Sequence, residues 1–539
     1  MNHVPWLTLI LVVPLGGALL LQLIPRTATG AIKAVTILSM LAVAGIVAGV
    51  MLAFTHTPDP ASSQAALLSG GTRNSPITFQ FEEHHDWIPA IGASYHLGLD
   101  ALSGWLLVLD SGVFLLGAVV VARRETARLR FYCGLLLLTF SATAGVLTSL
   151  DLLLFYFFWE AMLIPLYFIL TSYGDANRGR ATLKFVIYTV AGSLAMLLAI
   201  IWLYTQSSAG LAPTGGASHG TFDFTTLLLT PIPNQQPVSI LGVSTLTPQQ
   251  WAFMAFALAF AIKVPLVPFH TWLPDSYTSA PPQVLTFFAG IVSKLGAFGF
   301  MRYCITLFPG AAHTYQWVFE GLAIASIIYG ALLALAQTDI KRIVAYASIS
   351  HLGFIVLGIF SLNQNGLNGA IIQMVNHGMI IAALFLIVGF IEERTGTRDI
   401  REITGLNSRM PVLYALFLIV TLAGLGMPGM NSFVGEFTIM LGAFQASPIL
   451  AVLAGVGVVL ACWYMLRLHQ GVMHEPPSQV AENVPDLRRR EWMALAPLAG
   501  LMLAIGLYPH PFGVVSQNNV SQYVSVANTS ADQSQASSQ

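Results

Sequence analysis

The stretch FAIKVPLVPFHTWLPD, residues 260–275, closes an apolar run that begins near Trp251, and its centre holds Lys263, Pro265, Pro268 and His270. A run of ~20 apolar residues is long enough to cross a ~30 Å hydrocarbon core, so Lys263 reads as a charge inside a membrane helix. Pro265 and Pro268 each lack an amide N–H and disrupt the helix behind them. Carbonyls freed in this way are tolerated within a membrane only where protein or water satisfies them. The stretch therefore reads as a broken membrane helix carrying a buried cation.

Composition extends that reading to the whole chain. Of 539 residues, 55% are hydrophobic and 9% charged, with a mean hydropathy of +0.73. A soluble domain carries about 25% charged residues. The fold class expected is an all-α polytopic membrane protein of about 14 transmembrane helices. Their ranges are 4–23, 31–53, 97–121, 130–150, 151–172, 182–206, 250–270, 281–308, 316–337, 342–362, 366–391, 411–445, 446–468 and 492–510. Residues 54–95 and 207–249 read as long loops, and 514–539, rich in Ser, Gln and Asn, as a mobile tail. The run from Val4 to Leu23 lacks a basic segment before it and reads as a span, not a signal peptide. Net charge is −1, which gives no basic face for nucleic acid. Cys133, Cys304 and Cys462 lie apart in or beside apolar runs, without CxxC or metal-ligand spacing. They read as small packing residues, and iron–sulfur clusters are not expected in this chain.

The basic residues test the span count. Nineteen of the 23 Lys and Arg fall in loops after odd-numbered helices, among them Arg124, Lys184 and Lys341. Only Arg73 falls after an even-numbered one, with Arg302 near a helix end. The positive-inside rule then places both termini outside the cytoplasm. Lys263 and Lys294 remain, both inside spans.

Charges within spans are costly and usually face a bundle interior or a wet cavity. Glu160 lies in LLLFYFFWEAMLIPLYFIL, Lys294 in FFAGIVSKLGAFGF and Glu436 in LGMPGMNSFVGEFTIMLG. His351 (ASISHLGF) and His377 (QMVNHGMI) occupy two successive spans, and Asp110 is a weaker candidate in the third. Structural ion pairs and carbonyl-bonded histidines could account for some of these residues. Two lysines, two glutamates and two histidines together exceed what packing requires. A proton relay requires this mixture: carboxylates accept protons, histidine titrates near neutrality, and desolvation makes a buried lysine a readier donor. GLGMPGMN matches GxGxxG, but it lies within a membrane helix instead of a βαβ unit and contains Pro428, so it reads as a second helix break. Broken helices at corresponding places in two halves point to an ion path at mid-membrane. The seventh and twelfth spans are five apart, so helices 4–8 and 9–13 would form two inverted five-helix repeats. The boundaries expected are 1–129, 130–308, 309–470 and 471–539.

At these motifs the sequence resembles the antiporter-like (Mrp-type) membrane subunits of respiratory complex I, the NADH:quinone oxidoreductases. FYFFWEAMLIPLYF, the run from Lys263 to WLPD, AQTDIKRIVAYASISHLGF, QMVNHG and GMPGMNSFVGEF carry the resemblance, which covers residues 95–510. It implies proton translocation coupled to quinone reduction elsewhere in a multi-subunit enzyme of a bacterial inner membrane. NADH, FMN, iron–sulfur clusters and quinone would bind partner subunits, with no cofactor or metal in this chain. Its partners would be the other membrane-arm subunits, including neighbouring antiporter-like chains, and the lipid bilayer. By motif, Glu160 would modulate Lys263, Lys294 would connect the two halves, Glu436 would lie near the exit, and His351 and His377 would line the central axis. After WLPD this chain reads SYTSAPPQVLTFFAG, where relatives often have a histidine and smaller residues, so the intake side is not carried over. The alternatives are a subunit of a multi-subunit Na⁺/H⁺ antiporter and a purely structural spacer.

Overall fold

The computed structural model describes residues 4–56, 76–122, 128–210, 220–229, 246–482 and 484–536. Among them, twelve helices are long and apolar enough to cross a membrane. Ile340–Phe360 and Gln364–Thr395 pack against each other, and their apolar windows are almost wholly buried. Pro282–Leu307 lies against Gln364–Thr395 and is buried all round. At the rim, Pro448–Met473 exposes Ile449, Val452 and Val459. An apolar helix with one face packed and one face bare suits lipid or a neighbouring subunit.

Two expected spans are missing from that set because they are broken. Helix Pro248–Lys263 stops at the lysine and resumes as Trp272–Ser279. Helix Pro411–Gly424 stops before GMPGM, and Asn431–Ala446 follows. A third interruption was not expected. Leu152–Ala161 and Leu163–Tyr173 meet at Met162, two residues after Glu160. Pro165 has no N–H to offer the carbonyl of Ala161 and its ring crowds that position, which accounts for the interruption.

Four expectations need correction. Residues 54–95 are not all loop: strands β1 (Gln80–Ile88) and β2 (Ala93–Leu99) form an antiparallel hairpin. Gly92 turns it with φ +64, a left-handed conformation that glycine adopts without strain. Glu83 anchors β1 by accepting from the amides of Leu7 (2.7 Å) and Thr8 (3.0 Å) at the start of the first helix. His96 on β2 is buried and contacts Asp223 (2.5 Å) and Glu82 (3.2 Å). Burial opposes charge on that ring, but the two carboxylates outweigh it and raise its pKa to about 9. Residues 207–249 likewise contain a short helix, Phe224–Leu229.

The 514–539 segment is not a mobile tail over its described part. Helix His510–Ala536 docks on the bundle. Tyr523 donates to Asp100 (2.7 Å), Asn519 accepts from the amide of Ala101 (3.1 Å), and Trp105 stacks on Phe512.

Two basic residues are deeper than expected. Arg302 lies near a helix end, as expected, but it is fully buried and pairs with Asp100 at 2.6 Å. Lys341 is not in a loop. It lies in the first turn of Ile340–Phe360, 0% exposed, with Nζ 3.6 Å from Glu392. Glu392 also meets Arg398, which reaches Asp175 (2.8 Å) and Asp339 (3.4 Å). This ion-pair belt, continued by Lys184–Asp275 at 2.8 Å, ties together residues from both expected halves.

Candidate functional site

Lys263 ends its helix facing aromatic walls. Its ammonium lies 5.1 Å from the ring centre of Trp159 and 5.5 Å from that of Phe185. Cation–π attraction of this kind supports a desolvated cation without committing it to a hydrogen bond, and Nζ has no hydrogen-bond partner among the described residues. Glu160, one residue beyond Trp159, is close enough to act on Lys263 electrostatically. The two do not form an ion pair within 4.0 Å, and Glu160 Oε1 is buried without a partner. The expected pair is therefore an electrostatic one across a gap.

The proline break next to Lys263 is closed by protein. Trp272 Nε1 donates to the carbonyl of Ile262 (2.8 Å), and Ser326 Oγ accepts from the amide of Val267 (3.0 Å). The second break is closed in the same manner: Asn376 donates to the carbonyl of Asn431 (2.7 Å) and Cys462 Sγ lies 3.7 Å from that of Leu425. Cys462 thus does more than pack, whereas Cys133 and Cys304 are buried as expected.

Lys294 lies on Pro282–Leu307 just after a π-helical turn, Phe288–Val292. The widened turn leaves the carbonyl of Ala289 for Lys294 Nζ, at 2.7 Å. Gly296 brings this helix against the end of the Lys263 helix. A Cβ at Gly296 would stand 2.7 Å from Val264 Cγ2, so any larger residue would separate the two elements. Among the described residues, backbone proximity joins the two lysines and no hydrogen bond does.

Beyond Lys294 the groups connect. Lys294 and His351 both lie near enough to His377 to influence its charge, and the rings of His351 and His377 are 5.6 Å apart. Among the described residues, neither nitrogen of His377 has a partner. His351 Nδ1 contacts Glu436 Oε1 at 2.7 Å and its Nε2 contacts Tyr464 Oη at 3.0 Å. The same Glu436 oxygen accepts from Gln373 (2.9 Å) and Ser432 (3.1 Å). Gly426, at φ +73 in the break, leaves room for the other oxygen; a Cβ there would be 3.0 Å from it. Asp110 is buried but separate, and among the described residues its carboxylate accepts from Thr143 (2.9 Å).

Five of the six candidates, Lys263, Lys294, His351, His377 and Glu436, are buried along the centre of the bundle, and Glu160 is half-buried beside them. Sequence reasoning missed Tyr464, Gln373 and Ser432. Neutral polar residues barely disturb an apolar run, so hydropathy gives no signal for them. The arrangement offers alternating proton donors and acceptors, several with one side unpaired. Buried polar atoms normally find a partner, which makes the unpaired nitrogens of His377 and Lys263 natural places for water.

The family model described as "NADH:quinone oxidoreductase/Mrp antiporter, TM" matches residues 149–461. The NADH-quinone oxidoreductase subunit M of Mycobacterium tuberculosis (strain ATCC 25618 / H37Rv) is 36% identical over 547 residues, covering 95% of this chain and 92% of that relative. Its counterpart in Pseudomonas aeruginosa is 39% identical over 453 residues, covering 82% and 85%. A chain of respiratory complex I from Thermus thermophilus with bound NADH superposes with a TM-score of 0.80 at 32% identity, covering 97% of this chain and 99% of that one. A chain of the Mrp complex from Dietzia sp. DQ12-45-1b superposes with a TM-score of 0.76 at 23% identity, covering 98% and 100%, a likeness of fold.

Proposed function

Because this chain belongs to the NADH:quinone oxidoreductase/Mrp antiporter membrane family, we propose that it is a proton-translocating membrane-arm subunit of a complex I-type NADH:quinone oxidoreductase, in the position of subunit M. The observation that carries this reading is the buried series Lys294, His377, His351 and Glu436, with its last members hydrogen-bonded and its middle one unpaired. Electron transfer belongs to partner subunits that bind NADH, FMN, iron–sulfur clusters and quinone. This chain sits beside other membrane-arm subunits and neighbouring antiporter-like chains, in the inner membrane of a bacterium with both termini outside. It crosses fourteen times, with residues 130–308 and 309–470 as inverted repeats. The antiporter reading is less favoured, since the Mrp chain is 23% identical where the complex I chain is 32%.

The mechanism is electrostatic. While Glu160 is ionised, Lys263 keeps its proton. When Glu160 is neutralised, or is drawn to a neighbouring subunit, the proton leaves Lys263 through water towards Lys294, the two histidines and Glu436. Moving one charge across 100 mV takes ~2.3 kcal/mol and a pKa change of one unit corresponds to ~1.36 kcal/mol, so changes of about two units match the task.

Two outcomes are expected here. Glu160→Gln impairs proton uptake into vesicles severely, while Glu160→Asp retains a good part of it, with quinone-linked electron transfer as the reference in both. Equal loss in the two variants would mean that the position needs a length of side chain and not a charge. For topology, a cysteine at Arg124, a position outside the described residues, is expected to react with membrane-impermeant reagents only from the cytoplasmic side. Reaction from outside would invalidate the fourteen-span count.

A further inference from the structure

We propose that the β1–β2 hairpin is a binding site for a divalent transition-metal ion of the zinc class, held by His84, His96 and Glu82. His84 and His96 stand directly opposite each other on the antiparallel ladder, where side chains of the two strands share a face. Their rings lie 4.8 Å apart. One donor atom from each of His84, His96 and Asp223 falls within 4.8 Å of the others.

The spacing sorts ligands from supports. Tetrahedral zinc with bonds of ~2.0–2.2 Å sets neighbouring ligand atoms about 3.3 Å apart. His96 Nε2 and Glu82 Oε2 are already 3.2 Å apart. His96 Nδ1 and Asp223 Oδ2, at 2.5 Å, are too close to share an ion and form a hydrogen bond instead. Asp223 thus fixes the ring and its tautomer from behind, the carboxylate–histidine–metal arrangement. His96 is 2% exposed while Glu82 is partly open and His84 exposed, so an ion can enter from the solvent side without the hairpin unfolding. The ion takes the place of the proton between His96 and Glu82. Imidazole and carboxylate donors favour zinc over magnesium or calcium. Bound metal would lock β1 and β2 together while Asp223, 127 residues from His96 in sequence, holds the ring from the far segment. None of this depends on the proton-transfer reading.

The test uses the purified assembly containing the full chain, stripped with chelator and titrated with zinc chloride in mildly alkaline buffer. Bound metal is counted, and cobalt(II) serves as an absorbing substitute. One zinc per chain is expected above the level held by His84→Ala, and a cobalt spectrum of tetrahedral type that His84→Ala and Glu82→Gln both lose. Asp223→Asn, which only supports the ring, is expected to weaken uptake by about 10–100-fold. His85→Ala, the next residue on β1 and on the opposite face, keeps full uptake. Because His84 is exposed, its removal leaves the fold intact, and migration of the variant assemblies on a native gel checks this. Wild-type uptake no greater than that of His84→Ala would overturn the proposal and leave the cluster as an ion pair only. Equal loss in His85→Ala would also overturn it.

Discussion

Lys263→Ala is expected to abolish proton translocation while the assembly and its electron transfer persist. Among the described residues the side chain makes no hydrogen bond and no close ion pair, and its ammonium lies over aromatic rings. Its removal therefore breaks no directional interaction that the fold uses. A charge at that depth is costly, so a purely structural role would make alanine neutral or stabilising. Lys263→Arg is the sharper variant. Arginine keeps the positive charge and the cation–π contacts but retains its proton at any physiological pH. Translocation should fall to background in both variants, read as proton flux into vesicles against quinone-linked turnover. Wild-type flux in Lys263→Arg would show that this lysine never releases its proton, and a fixed charge would then be the right description.

Arg302→Met is expected to cost the protein itself. Arg302 and Asp100 are both 0% exposed and 2.6 Å apart, with Tyr523 and Ser103 completing the shell around the carboxylate. Breaking a buried pair by removing one partner costs about 3–5 kcal/mol, because the other charge stays behind. The assembled amount and the midpoint of thermal aggregation in detergent should both drop sharply. Asp100→Asn alone strands the arginine and should do the same. The double variant is expected to recover much of the loss, since asparagine is neutral and can still accept from Ser103 and Tyr523. Strict additivity of the two losses would mean that the ion pair contributes nothing beyond its separate halves.

How far the sequence could be read follows from which signals are local. The membrane spans were legible because ~20-residue apolar runs leave little choice in a bilayer, and both breaks at prolines fell where expected, after Lys263 and after Gly424. The six candidate residues were legible as charges or histidines that an apolar run has no packing reason to hold. What stayed hidden depends on partners far away in sequence. Arg302 looked like a helix-end charge because hydropathy cannot see Asp100, 202 residues earlier. Lys341 looked like a loop residue until Glu392 drew it inward. The Ser- and Gln-rich composition of the tail masks a thin apolar stripe, Phe512, Val520, Tyr523 and Val526, that is buried against the bundle. Tyr523, Asn519 and Gln522 find partners on the bundle and on Thr78 just before the hairpin. The hairpin escaped notice because EEHHDW has no hydrophobic alternation.

The contact between Tyr523 and Asp100 spans 423 residues, and that distance sets an order of events at the ribosome. At ~5–20 residues per second, on the order of 20–80 s pass between synthesis of the carboxylate and of the hydroxyl that caps it. During that interval Asp100, just before helix Ala101–Ala122, and later Arg302 have an incomplete shell. The insertion machinery, or water held there, has to serve as their temporary solvent. A ribosome stalled before Tyr523 would leave this cluster open, and a protease surveying the membrane could recognise the unfinished chain by it.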